Sequence, residues 1–183
     1  NGNQEDVDYL IITSDLLFQQ ANRLAQYRSN RDDLNIKVVL LEDIYEEFSS
    51  GKQDISAIRN FVKYVYDNAI NASSRLKYVC LFGDASIDYK DRISGNNNIV
   101  PTYESTASFS TGSSAFASDD FYGMMDPQEG NLNSVTGLLD IAVGRILADT
   151  PSMARNAVDK IIAYESRESF GPWRNNFVLI SDD

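Results

Sequence analysis

The amino-acid sequence predicts an α/β fold, a mostly parallel sheet with helices on both faces. Three short apolar runs, at residues 9–13, 36–41 and 76–82, have the length and composition of buried strands. Two segments with the apolar spacing of helices separate these runs. Because strands that alternate with helices join through right-handed crossovers and are covered on both sides, this pattern is typical of a parallel sheet.

Each predicted helix begins at a residue that can cap it. Ser14 or Asp15 precedes the first helix and Asp54 precedes the second, so a side-chain oxygen can accept an N–H group that the first turn leaves free. A Ser-Ser-Gly sequence at residues 49–51 breaks the chain before the second helix.

The second half of the sequence begins irregularly and then returns to regular periodicity. Residues 85–138 are rich in Ser, Asn, Gly and Thr, and we expect short strands and loops there, at the carboxyl edge of the sheet. Residues 139–146 predict a fourth strand, a Thr-Pro pair opens a further helix, and residues 176–180 predict a fifth strand. We interpret residues 1–183 as a single α/β subdomain, cut from a longer protein, with an irregular loop region at about 85–138.

The composition excludes several classes of function. The 183 residues contain no histidine, so neither a Ser-His-Asp nor a Cys-His catalytic group can be complete within them. The 16 Lys and Arg residues against 27 Asp and Glu give a net charge of −11, which argues against binding to nucleic acid or to an anionic membrane surface. The apolar runs are also far shorter than the roughly 20 residues that span a bilayer.

Acidic side chains are the candidate metal ligands. Asp84 directly follows the third strand, at the edge where open parallel sheets bind ligands, although Asp is also common in ordinary turns. A second group of oxygen ligands falls within about a dozen residues: Asp119, Asp120, Asp126, Glu129 and Asn131. This group can hold calcium or can form an acidic surface loop, since its spacing does not match an EF-hand.

Two other residues have predicted structural roles. Cys80 lies in the middle of the third strand, where we expect a buried, unreactive thiol, because a reactive one needs exposure and a cationic neighbour. Arg145 leaves the fourth strand and can bind an anion or pair with Asp84 or Asp119. In so acidic a chain we expect the pairing.

Three stretches, taken in order, resemble the gingipain-type cysteine peptidases. They are YVCLFGD at residues 78–84, SDDFYG at 118–123, and DIAVGRI at 140–146 followed by the Thr-Pro helix. Residues 98–103 and the helix at 158–164 look closer to the sortase of the type IX secretion system than to the secreted gingipains. The resemblance covers about residues 8–183 and implies a caspase-like fold of two α/β halves, of which this chain is similar to the N-terminal one.

The resemblance also implies what this half does not do. In the family, the catalytic histidine and cysteine both belong to the second half, so we expect no catalytic and no cofactor-binding residue here, and no peptidase activity from this chain alone. The implied partners are the C-terminal catalytic subdomain of the same parent and, through it, a peptide or protein substrate. Several family members bind calcium, which points to Asp84 or to the acidic group. The implied location is extracellular or on the outer-membrane surface of a bacterium.

Two further expectations remain open. The chain can instead be a catalytically inactive scaffolding or ligand-binding module of a surface or secreted protein. In addition, a sheet edge left uncovered by a missing second half invites pairing with another chain, so we predict a tendency to form an edge-strand dimer.

Overall fold

The computed structural model describes residues 6–90, 92–105, 116–127, 129–130, 132 and 137–179. The strands are β1 (Tyr9–Thr13), β2 (Ile36–Leu40), β3 (Tyr78–Phe82), β4 (Tyr103–Glu104), β5 (Ala117–Ser118) and β6 (Ala142–Ile146). The α-helices are α1 (Phe18–Asp32), α2 (Leu41–Ser49), α3 (Ile55–Asp67) and α4 (Pro151–Glu165). Every helix within these ranges is too short or too polar to cross a membrane.

Four of the strands form one parallel sheet in the order β2-β1-β3-β6. β4 and β5 form a small antiparallel pair inside the region that the sequence predicted to be irregular, where short strands were expected. In the described part of the chain β2 and β6 are the two edges of the parallel sheet. Pairing of such an edge with a second copy stays a prediction.

Helices cover both faces of the parallel sheet. Because successive side chains of a strand point to opposite faces, Leu10 and Ile12 of β1 pack with α2 and α3, whereas Ile11 packs with α1 and α4. All three side chains are fully buried. The predicted α/β fold class is therefore confirmed, and α4 lies on the same face as α1.

The helix starts follow the predicted caps in two of three cases. The Asp54 carboxylate accepts a hydrogen bond from the Ser56 N–H at 2.8 Å, and the Thr150 hydroxyl accepts one from the Met153 N–H at 3.3 Å. A short 3-10 turn, Asp15–Leu17, precedes α1, and the Ser14 side chain makes no capping hydrogen bond. Ser14 therefore does not cap the first helix.

A helix that the sequence analysis missed follows β2. Leu41, predicted to end the second strand, instead begins α2. Leu41, Ile44 and Tyr45 recur at helical spacing and are buried against the sheet, so packing of this stripe selects the helix.

The predicted fifth strand is wrong for the residues described. Residues 176–179 have no regular secondary structure, and Phe177, Val178 and Leu179 are 92%, 82% and 93% exposed. The physical reason is the right-handed sense of crossover connections between parallel strands. α1 connects β1 to β2, so any right-handed crossover whose helix lies on the α1 face moves toward the β2 side of the sheet. From β6 through α4 the same direction leads to β3, which already occupies that place.

Candidate functional site

The carboxyl edge of the sheet brings three chain segments together, those that follow β1, β3 and β6. The Thr13 hydroxyl donates to the Phe82 carbonyl at 2.8 Å, which ties the end of β1 to the end of β3. The Gly83 N–H donates to the Ile146 carbonyl and the Asp84 N–H to the Ala148 carbonyl, both at 3.0 Å. The chain leaving β3 is therefore held between its two neighbours.

The chain turns at Gly83 and Asp84, and the first of these positions requires glycine. Gly83 has φ +151°, and a Cβ atom there would lie 2.5 Å from the Ile99 Cγ2 atom. The Asp84 carbonyl accepts hydrogen bonds from the N–H groups of Ile99 at 2.9 Å and Val100 at 3.0 Å. This turn fixes the first segment of the irregular region against the sheet.

The Asp84 side chain is 9% exposed and only partly hydrogen-bonded. Its Oδ2 atom accepts a hydrogen bond from the Asn97 amide at 3.0 Å, while its Oδ1 atom is buried without a partner. Among the described residues no donor reaches this oxygen, which is also shielded from solvent.

Arg145 of β6 joins the segments beside this edge. Its Nε and Nη2 atoms donate to the two carboxylate oxygens of Asp119 at 2.8 and 2.7 Å, in a bidentate ion pair. Its Nη1 atom donates to the carbonyls of Gly83 at 2.8 Å and Val100 at 2.7 Å. The predicted pairing of Arg145 is confirmed with Asp119 as the partner. We call Arg145, Asp119 and these two carbonyls the arginine clamp.

Asp119 and Tyr122 attach the next segment to the same place. The Thr102 hydroxyl donates to Asp119 Oδ1 at 2.8 Å, and the fully buried Tyr122 hydroxyl donates to the Pro101 carbonyl at 2.7 Å. Burial raises the pKa of the Tyr122 hydroxyl well above its usual range, so Tyr122 stays a neutral donor. The three stretches that carried the family resemblance therefore meet here.

The predicted calcium ligands are not gathered into one set. Both Asp119 oxygens are bound in the arginine clamp, and the Glu129 oxygens accept the N–H groups of Asp126 at 3.0 Å and Leu138 at 3.1 Å. Asp120 and Asp126 are exposed, Asp84 lies at the sheet edge, and Asn131 is outside the described residues. Within the described ranges no three Asp, Glu, Cys or His side chains are placed to hold a metal. Calcium binding stays a prediction.

Two residues at the edge were not predicted as site residues. The Ser14 Oγ and Asp149 Oδ1 atoms are buried without hydrogen-bond partners, like Asp84 Oδ1. The sequence signal was present, since each follows a strand of the parallel sheet by one to three residues, as Asp84 does. What the sequence does not show is that their oxygens are enclosed.

Cys80 has the structural role that was predicted. It is 4% exposed in the core under α1 and α4, and burial raises the pKa of its thiol to about 11. The thiol is therefore protonated at neutral pH and is not a nucleophile. Cys80 also helps to line a cavity of about 670 Å³, which runs along β6 from Ala142 to Ile146 and is bordered by α1 and α4.

The parallel sheet, its two helical layers and the motifs joined by the arginine clamp define an α/β protein. The chain belongs to peptidase family C25, whose family model matches residues 2–183. The resemblance to the gingipain family is thereby confirmed.

A solved structure gives a more particular relative. The chain is similar to dimeric latent PorU from Porphyromonas gingivalis, with 32% sequence identity and a TM-score of 0.72. The match covers 93% of this chain and 16% of PorU, so this chain spans only a small part of that relative's length. No curated protein matches the chain.

Proposed function

We propose that this chain is the non-catalytic N-terminal subdomain of a gingipain-like cysteine endopeptidase, the sortase and C-terminal signal peptidase of the type IX secretion system. The observation that carries the proposal is the absence of a usable catalytic pair in a chain that belongs to a cysteine peptidase family. The sequence has no histidine, and its one thiol is buried and protonated. The resemblance of the motifs to the sortase and the 32% sequence identity with PorU support the assignment to the sortase.

The subdomain's contribution in this proposal is to position loops. In open parallel sheets, ligands bind outside the carboxyl ends of the strands. The arginine clamp and the Gly83 turn hold the loops at that edge through partly buried hydrogen bonds, so a catalytic subdomain packed beside them meets a preformed surface. The partner is the C-terminal catalytic subdomain of the same parent, and the peptide substrate is bound through the intact domain.

The chemistry proposed for the parent is acyl transfer. A cysteine thiolate of the catalytic subdomain adds to a peptide carbonyl, backbone N–H groups stabilise the oxyanion, and histidine protonates the departing amine. A second amine then adds to the thioester carbonyl and gives its proton to histidine, and the C–S bond breaks to restore the cysteine thiolate beside the protonated histidine. This step joins secreted cargo to a surface acceptor. Because the acceptor is at the cell surface, we infer that the protein works on the outer surface of a bacterium.

A pair of assays tests this function. The purified 183-residue chain is expected to hydrolyse no peptide and to resist thiol-directed inhibitors, whereas the full-length parent cleaves peptides. The full-length Cys80→Ala variant should keep its activity wherever it remains folded, because Cys80 only fills the core.

Two results would contradict the proposal. One is peptide hydrolysis by the chain alone, and the other is loss of activity in a folded Cys80→Ala parent. A parent sequence without a second, histidine- and cysteine-bearing half would instead support the alternative of an inactive scaffolding or ligand-binding module.

A further inference from the structure

The outer edge of β2 meets no other strand in the described part of the chain. On its inner side, Ile36 is in register with Tyr9 of β1, whose N–H donates to the Asn35 carbonyl. Because the backbone groups of successive residues alternate between the two sides of a strand, Ile36 and Val38 direct their N–H and C=O groups away from β1. The outer edge therefore offers backbone donors and acceptors to an added strand.

A small pocket lies beside this edge, lined by β2, α2 and α3. Its volume is about 230 Å³, and its apolar lining includes Val39, Phe48 and Phe61. Pockets for drug-sized ligands have about 300–1,000 Å³, so this one has room for a single side chain. Val39 packs on the face of the sheet that α2 and α3 cover, and alternate side chains of an added strand would point to the same face.

Negative charge surrounds the pocket. Asp43, Glu46 and Glu47 of α2 line it and are exposed, and Lys37 is the cation among the lining residues. Asp43 lies three and four residues before the two glutamates, so the three carboxylates are neighbours on the helix surface. Like charges at this spacing destabilise a helix, and acidic residues in its last turn are unfavourable for the helix dipole. Helix stability therefore does not explain this arrangement, whereas a cationic ligand would be attracted by it.

The same charge decides which strand fits the edge. A second copy of the chain paired through β2 would bring a second set of these carboxylates beside the first, and like charges repel. A strand with a lysine or arginine can instead lay the aliphatic part of that side chain on Val39 and Phe48, with its charged end among the carboxylates. The open edge, the pocket and the charge thus suit one kind of occupant.

We propose that the β2 edge binds an extended peptide segment of a partner protein by strand addition, with a Lys or Arg side chain of that segment in the acidic pocket. Main-chain hydrogen bonds to Ile36 and Val38 supply affinity, and the pocket supplies the preference for a cationic side chain. The surface is separate from the arginine clamp, because β1 and β3 lie between β2 and β6 in the sheet.

The test is a titration of the 183-residue chain with the acetylated and amidated peptide Ser-Val-Lys-Val-Ser, followed by amide NMR. The peptide matches the five residues of β2 and places its lysine on one face and its valines on the other. Saturable shift changes are expected at Ile36, Val38 and α2. Glutamate in place of the lysine should abolish binding. Proline in place of both valines should also abolish it, because proline keeps the peptide's charge but removes N–H groups and resists strand pairing.

Variants of the chain provide matched controls. Asp43→Asn combined with Glu47→Gln should weaken binding of the lysine peptide about fivefold, since each exposed ion pair contributes modestly. Asp120→Asn combined with Asp126→Asn removes the same charge from exposed carboxylates elsewhere and should not weaken binding.

Four results would overturn the proposal. They are no saturable binding at millimolar peptide, shift changes centred away from β2 and α2, binding of the glutamate or proline peptide as strong as that of the lysine peptide, and equal weakening in the two double variants. None of these results depends on peptidase activity, so the proposed function stands or fails separately.

Discussion

Replacing Arg145 by alanine should destabilise the fold more than any change of an exposed ion pair. Among the described side chains, the substitution leaves Asp119 with the Thr102 hydroxyl as its one donor, and it leaves the carbonyls of Gly83 and Val100 without the guanidinium. Removing one partner of a buried pair costs about 3–5 kcal/mol. The Arg145 and Asp119 side chains are 11% and 25% exposed, so water can partly solvate the carboxylate, and we expect a loss of about 3 kcal/mol.

The chain offers a matched control for this prediction. Arg23 and Asp159 also form an arginine–aspartate pair, at 2.6 Å, but their side chains are 42% and 51% exposed. Exposed pairs contribute about 0–1 kcal/mol, so Arg23→Ala should have a small effect. Arg145→Lys keeps the charge but cannot reproduce the bidentate geometry, and we expect an intermediate loss of about 1–2 kcal/mol.

The measurement is urea unfolding followed by circular dichroism, with the free energy of unfolding taken from linear extrapolation. A double-mutant cycle with Asp119→Ala should give a coupling energy of about 1.5 kcal/mol or more. A loss below about 1 kcal/mol for Arg145→Ala, or equal losses for Arg145→Ala and Arg23→Ala, would refute the reasoning that this clamp holds the edge together.

Two further predictions concern Gly83 and Cys80. Gly83→Ala should lower the free energy of unfolding in urea by about 2–4 kcal/mol, because Gly83 has φ +151° and an added Cβ atom would lie 2.5 Å from Ile99. The control Gly144→Ala should change it little, because the space around Gly144 is open. Similar losses for both variants would contradict the argument about the Gly83 turn. Burial raises the pKa of Cys80 from 9.0 to about 11, so the unfolded chain loses its thiol proton first as pH rises. Stability is thus unaffected by this group below about pH 9 and falls by about 2–3 kcal/mol toward pH 11. The Cys80→Ala variant should lack this part of the alkaline loss in unfolding curves measured across that range, and an identical pH profile for both proteins would refute it.

The sequence predicts those features that depend on local periodicity and on charge. Apolar runs of strand length around β1, β2 and β3 define the parallel sheet. The central strands β1 and β3 are buried on both faces and need apolar residues at nearly every position, whereas the edge strand β2 is half-buried and includes Lys37. For Arg145 the sequence left open a bound anion or an ion pair with Asp84 or Asp119, and the acidity of the chain favoured the ion pair. Which carboxylate pairs with it depends on the tertiary structure. α2 was missed although its buried residues have helical spacing, because its first residue, Leu41, directly continues the apolar run of β2.

The unpartnered oxygens could not be predicted because they depend on enclosure. Ser14 and Asp149 are residue types that ordinarily cap helices or face water in turns. Ser14 and Asp149 are half-buried residues, and only the packing of β1, β3 and β6 side by side encloses their Oγ and Oδ1 atoms. A local sequence pattern does not show how many hydrogen-bond donors a loop distant in sequence places beside these oxygens.

The apolar segment at residues 177–179 is not a strand of the sheet, and the reason is the face of the sheet on which α4 lies. Helical periodicity predicts a buried face for α4 but does not say which face of the sheet it covers. Because α4 lies beside α1, a right-handed crossover cannot lead from β6 to the free outer edge of the sheet. Phe177, Val178 and Leu179 are therefore more than four-fifths exposed beside this sheet, and the handedness of the crossover is the physical reason that this apolar run does not become its next strand.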